Sequence, residues 1–201
     1  EIIGGPGSGK TFFIDPMLEA LSDYYQEIIK FSPYPFLDNH LQILLSKLTV
    51  LSRQEIDSLC LNKKNIPLSG NKHDFFFYLT ENLSPKNVFK PCLFVIDDCD
   101  MLDKYSRDFL QYLIQVEEDT GIQVIALSHQ KLFPFSEVEY MYPLTTDQIE
   151  SLLRKSFPDQ DYGYAKESEI IRNISEGNLL IINTILTELT HQKSKRPDIS
   201  N

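Results

Sequence analysis

The 201-residue sequence is short of basic residues, has only three cysteines, and contains no long hydrophobic run. Each shortage excludes something. Lys and Arg number 19 against 29 Asp and Glu, a net charge of −10. An acidic surface repels phosphate backbones and anionic headgroups, so non-specific binding to nucleic acid or membranes is not expected. A small local basic site remains compatible with that charge. No apolar stretch approaches the roughly 18 residues needed to span a bilayer. No signal-peptide pattern appears either. The chain starts almost inside its first apolar strand, so it reads as a fragment of a longer protein. Cys60, Cys92 and Cys99 are odd in number and lack Cys-x-x-Cys spacing. They read as reduced thiols of a cytoplasmic protein rather than disulfide or zinc partners. Apolar content is 42%, enough for one domain, or for a core with a small subdomain.

What the chain does have stands at its start. Gly4-Gly5-Pro6-Gly7-Ser8-Gly9-Lys10-Thr11 fits the phosphate-binding pattern G-x-x-x-x-G-K-T. Glycines let the backbone curl and bring its N–H groups to an anion. The loop opens into a helix whose N-terminal amides favour phosphate. Lys10 supplies a point charge for the β- and γ-phosphates, and Thr11 a hydroxyl for Mg²⁺. The flanks suit this reading better than a simple Gly-rich turn. Ile2-Ile3 is a short apolar strand, and residues 12–25 have helical spacing, with Pro16 expected to kink or restart the helix. The candidate nucleotide contacts are Gly4, Gly5, Pro6, Gly7, Ser8, Gly9, Lys10, Thr11 and Phe12, with Lys10 also catalytic.

Further along, residues 27–31 read as a second strand and Ser32-Pro33-Tyr34-Pro35 as an extended turn. Residues 38–49 are spaced as an amphipathic helix with Asp38 near its cap. Another helix is expected at 53–60, then a mobile loop over 61–72. The aromatic cluster Phe75-Phe76-Phe77-Tyr78 reads as core packing. Cys92-Leu93-Phe94-Val95-Ile96 reads as a strand buried on both faces, and it ends in Asp97-Asp98. Downstream of a phosphate loop this is a Walker B pattern: Asp97 to hold Mg²⁺ and Asp98 to activate the attacking water. Asp100 and Asp103 are expected to be solvated loop residues. After a helix at 104–117, a strand at 122–127 ends in Ser128-His129. Either side chain could reach a γ-phosphate, and Ser128 is the stronger catalytic candidate.

A fifth strand at 138–142 leads to Pro143-Leu144-Thr145-Thr146, where Thr145 or Thr146 can cap a helix. Two more helices follow, at about 164–174 and 177–191. Together these segments resemble the AAA-type/STAND ATPase domain of LuxR-type regulators, multidomain kinases and soluble adenylyl cyclase. The resemblance rests on Val95-Ile96-Asp97-Asp98-Cys99-Asp100-Met101-Leu102-Asp103 with Ser106, on Tyr142-Pro143-Leu144-Thr145, and on Gly177-Asn178-Leu179-Leu180-Ile181-Ile182. It implies an α/β P-loop NTPase fold with a parallel sheet in the order 5-1-4-3-2 and a C-terminal helical lid. Residues 1–142 would form the core and 143–201 the lid. It also implies ATP and Mg²⁺ as cofactors, with Pro143 and Leu179 near the base. There are departures. Met101 stands for the usual Trp, Leu179 for the lid proline, and the 177–191 helix has no matching arginine.

The resemblance implies a slowly hydrolysing, ATP-binding regulatory switch in a multidomain signalling protein. Its partners would be ATP or ADP, other domains of the same chain, and proteins, self-association among them. Neither membrane nor nucleic acid is expected as a partner. Two other readings compete. An active remodelling or DNA-loading ATPase is disfavoured by the acidic surface and the absent arginine. A degenerate scaffold is disfavoured by intact Lys10, Thr11, Asp97 and Asp98.

Overall fold

The computed structural model describes residues 1–34, 40–48, 54, 72–81, 91–158 and 163–194. The expected Asp38 cap, the 53–60 helix (residue 54 apart), the 61–71 loop and Cys60 lie outside them. Strands β1 (Ile2–Ile3), β2 (Glu27–Phe31), β3 (Cys92–Ile96), β4 (Ile122–Ser128) and β5 (Glu139–Tyr140) form one sheet. Its order is β2-β3-β4-β1-β5, which from the other edge is the expected 5-1-4-3-2. The first four run parallel, with Ile28 opposite Leu93, Val95 opposite Ile125 and Ile3 opposite Ser128. Every residue of β3 is buried, as an unbroken apolar run in a covered parallel sheet requires.

The helices are α1 (Lys10–Leu21), α2 (His40–Leu48), α3 (Lys72–Glu81), α4 (Lys104–Gln115), α5 (Glu117–Thr120), α6 (Thr146–Ser156), α7 (Tyr164–Ser175) and α8 (Leu179–Ser194). Helix α1 runs through Pro16 without a break. Ile14 and Leu18, one turn apart and both buried, fix one face of the helix across the hydrogen bond the proline removes. Helix α8 starts two residues later than expected, because Gly177 has φ 78° and cannot belong to it.

The chain divides into two compact units. The first is Glu1–Ile3 with Thr11–Glu139. Its core packs Leu41, Leu44 and Leu48 of α2, Phe76 and Leu79 of α3 and Phe109 of α4 with Phe94 and Ile96 of β3. Burying each such side chain contributes about 1.5–3 kcal/mol. Phe76 meets the rings of Phe109 and Tyr105 edge-on at 5.3 and 5.4 Å. The aromatic cluster is only partly core, for Phe77 is 59% exposed. Consecutive helix positions point about 100° apart, so Phe76 and Phe77 cannot both face inward.

The second unit is Gly4–Lys10 with Tyr140–Asn201. Its helices share a core of Ile149, Leu153, Phe157, Tyr164, Ile171, Ile182 and Leu186. Thr145 caps α6 in a full capping box with Gln148. The Tyr164 hydroxyl donates to the Phe157 carbonyl at 2.5 Å, and the Arg154 guanidinium lies 4.6 Å from the Tyr164 ring centre.

Candidate nucleotide-binding site

The loop 4–10 turns on a hydrogen bond from Ser8 N to Gly5 O at 3.1 Å. Gly9 has φ 93°, and a Cβ there would lie 2.5 Å from Leu179 Cδ2. The positive φ is what requires glycine; the atom in the way is the far end of a leucine side chain. Lys10 is only 6% exposed. Its Nζ donates to Gly4 O at 2.6 Å and Gly5 O at 3.3 Å, so the ammonium lies against the loop's own carbonyls. Ser8 Oγ is buried without a hydrogen-bond partner among the described residues. Such a group costs about 1–3 kcal/mol, which an entering phosphate could relieve. Asn178 Nδ2 donates to Pro6 O at 2.8 Å, and Leu180 N to Gly7 O at 3.1 Å. Leu179 thus contacts the loop itself. Pro143 is exposed, and Phe12 is 72% exposed.

At the strand ends of the first unit, Thr11 Oγ1 donates to Asp97 Oδ2 at 2.8 Å. The structure therefore brings together the two expected metal ligands. Asp97 is placed by its own N–H, which donates to Phe31 O at 2.9 Å, and its Oδ1 accepts from Asp98 N at 3.0 Å. Asp98 is in the left-handed region, φ 49° and ψ 46°, and caps the 3₁₀ turn Cys99–Met101 without a side-chain bond. A non-glycine residue there carries strain of the kind found at functional sites. Its carboxylate is exposed, and no hydrogen bond to it occurs among the described residues.

The tip of β4 differs from expectation. Ser128 is fully buried, and its Oγ donates to Glu1 Oε1 at 2.7 Å. The one proton it could offer a phosphate is on that carboxylate. His129 is exposed. Its backbone N–H donates to Asp100 Oδ2 at 2.6 Å, and its Nδ1 lies 3.4 Å from the same oxygen. Asp103 caps α4, accepting from Ser106 N and Oγ at 2.9 and 2.6 Å. Its own N–H donates to His40 Nδ1 at 3.2 Å. Asp100 and Asp103 are thus not merely solvated: each ties a loop to a backbone N–H. The acceptor roles of Glu1 and Asp100 escaped the sequence reading because nothing in their local pattern marks a long-range acceptor.

Cys92 and Cys99 are free and buried. Burial, and then Glu27, push the Cys92 thiol up to about 11. Burial raises Cys99 as well, with Glu1, Asp100 and Asp97 adding to it. Neither thiol is primed as a nucleophile. Among the described residues, no cluster of three or more His, Cys, Asp or Glu could hold a metal, and no helix is long and apolar enough to cross a membrane.

A glycine loop opening a helix, with an aspartate at a parallel strand end joined to the threonine after the loop, defines an α/β domain of the P-loop fold. The model of the AAA domain family matches residues 1–134, and the chain belongs to that family. No curated protein matches it in sequence. Among solved structures, the RuvB Holliday junction branch migration motor of Thermotoga maritima matches at 13% identity and TM-score 0.56, covering 94% of this chain and 53% of its own. A signal transduction ATPase with numerous domains from Pyrococcus horikoshii, which carries a tetratricopeptide repeat sensor, matches at 16% identity and TM-score 0.55. That match covers 92% of this chain and 26% of its own. The chain thus spans about half of the one and a quarter of the other, and at these identities the likeness is one of fold.

Proposed function

We propose that this domain binds ATP with Mg²⁺, hydrolyses it slowly, and serves as a regulatory switch in a cytoplasmic, multidomain signalling protein. The single observation carrying the nucleotide reading is the Thr11–Asp97 hydrogen bond, which links the residue after the P-loop lysine to the aspartate after β3. One hydroxyl and one carboxylate suit Mg²⁺, which takes few protein ligands and completes its shell with water and phosphate oxygens. The buried Ser8 hydroxyl, unpartnered among the described residues, also fits a phosphate. When bound, Mg²⁺ would neutralise charge developing on the phosphates. The loop amides and Lys10 would bind the phosphate chain, the ammonium leaving the Gly4 and Gly5 carbonyls to do so. Asp98 would accept the proton of the attacking water as the bond to the γ-phosphorus forms and the β–γ bridge breaks. Ser128 would support the β4 tip through Glu1. Pro143, Leu179 and Phe12 would border the nucleotide.

Three observations support a switch over a motor. Position 98 is Asp rather than Glu, the α8 helix has no matching arginine, and the Pyrococcus relative is a signalling ATPase of similar fold. Partners would be other domains of the longer chain and proteins, including further copies of itself. The RuvB-like fold supports an active remodelling ATPase as the second reading, against which the net charge of −10 counts. Calorimetry tests the nucleotide reading: MgATP and ADP should bind the native domain, and Lys10→Ala should abolish binding. Equal affinity in both proteins would refute it.

A further inference from the structure

The turn following β4 hangs on one carboxylate. Glu1, just ahead of β1, accepts through Oε1 from Ser128 Oγ at 2.7 Å and Leu132 N at 2.9 Å. Through Oε2 it accepts from Ser136 Oγ at 3.0 Å and Phe133 N at 3.4 Å. Two consecutive backbone amides and two hydroxyls therefore converge on a single anion, a concave donor set of the kind that holds anions tightly. Hydrogen bonds to an ionised acceptor are about twice as strong as neutral ones. Glu1 O also accepts from Glu139 N at 2.8 Å, so the residue touches both ends of the β4–β5 connection. Phe133, whose N–H is held, is buried in the core. Ser128 pairs in register with Ile3, the residue that runs directly into the P-loop.

We propose that Glu1 is a positioning residue for nucleotide hydrolysis. It fixes the 128–136 turn, and so sets the tip of β4 against the strand that delivers the phosphate loop. This rests on the nucleotide reading above. Glu1 itself need touch no nucleotide, since its four donors occupy both of its oxygens. Asp100, holding His129 N–H, braces the same tip from the side of β3. Glu1→Gln isolates the role. The amide keeps the size but offers one oxygen and an NH₂ group. The serine hydroxyl beside the NH₂ can turn to accept, as Ser136 Oγ can by donating instead to Phe133 O at 2.9 Å, so one backbone N–H, of Leu132 or of Phe133, would face another donor.

The test uses the whole 201-residue chain. Hydrogen exchange at the Leu132 and Phe133 amides is measured without nucleotide, and single-turnover hydrolysis and affinity are measured with MgATP. In Glu1→Gln the one of those amides left without an acceptor should exchange about 10- to 100-fold faster. Hydrolysis should fall about 10- to 100-fold through misplacement of the tip, with ATP affinity little changed. Ser136→Ala, which keeps three donors, should shift both readouts in the same direction by less, and it serves if Glu1→Gln does not fold. Amides equally unprotected in the native chain overturn the proposal. So does a variant whose turn opens while hydrolysis continues at the native rate. If the native chain neither binds nor hydrolyses ATP, the nucleotide reading fails and the positioning role with it, while a surviving exchange difference would mark Glu1 as purely structural.

Discussion

In the proposed mechanism Asp98 sets stability against chemistry, and substitutions there should separate the two. Its left-handed backbone, φ 49°, costs a non-glycine residue about 1–2 kcal/mol, somewhat less for Asp and Asn. Its side chain makes no capping bond, so removing the carboxylate forfeits no fold contact. Glycine relieves the strain but loses about 0.5–1 kcal/mol through the entropy of the unfolded chain. Asp98→Gly should therefore be at least as stable as the native protein. Asp98→Asn should match it, and Asp98→Ala should fall about 1 kcal/mol below the glycine variant. In a chain of this size, 1 kcal/mol corresponds to about 2–4 °C in Tm. All three variants should keep ATP bound yet hydrolyse it about 10²–10⁴-fold more slowly, the usual contribution of a general base. Thermal unfolding and single-turnover hydrolysis on the same samples give both orders. An alanine variant as stable as the glycine variant would refute the strain argument. Undiminished hydrolysis by Asp98→Asn would refute the proposed role of the carboxylate.

Gly9→Ala should destabilise the domain by about 1–2 kcal/mol, mainly from positive φ, with a smaller part from moving the Leu179 methyl. In urea titrations, Leu179→Ala should recover the clash but not the backbone strain. Simple additivity of the two would show that the contact is not made. The raised thiol of Cys92 favours the neutral form in the folded chain, so its contribution is fully present below pH 9.0 and is lost between there and about 11. Alkaline melting curves should show that decline, and Cys92→Ala should flatten it; native Cys92 and Cys99 should also react with thiol reagents far more slowly than in urea. For the switch, hydrogen exchange over residues 143–192 should slow more with ATP than with ADP. Leu179→Pro, at the first position of α8 where proline is accommodated, should strengthen that difference. Identical exchange in the empty, ADP and ATP forms would leave a static scaffold.

Much of the fold was legible because its signals are local. The run Cys92–Ile96, the turn-rich loop 4–10 and the helix start at Thr145 or Thr146 each carry their conformation in adjacent residues; that Thr145 is the cap, with Gln148, came from the structure. Pro16 does not restart the helix, since the packing of Ile14 and Leu18 outweighs one lost hydrogen bond, and nothing in sequence reports that packing. The aromatic cluster misled for a similar reason: composition says apolar, but only the helical phase decides that Phe76 turns inward and Phe77 outward. The pairing of Thr11 with Asp97 was foreseeable from two motifs of known chemistry. The attachment of Ser128 to Glu1 was not, because 127 positions separate the partners and a lone glutamate before a strand has no distinguishing pattern.

Asn178 does two jobs with the two ends of one amide. Its oxygen accepts from Leu180 N and Ile181 N at 3.0 and 3.4 Å, starting α8, while its nitrogen holds the Pro6 carbonyl. Of the residues that commonly start helices, only asparagine can accept and donate in this way; serine and threonine are too short, and aspartate has no hydrogen to give. The position is therefore chemically narrow. A single spontaneous hydrolysis of that amide to a carboxylate would keep the helix start intact but turn its grip on the loop into repulsion. A protein ageing in this manner would keep its circular dichroism while losing its hold on Pro6, so damage at this point would be silent to any assay that measures folding alone.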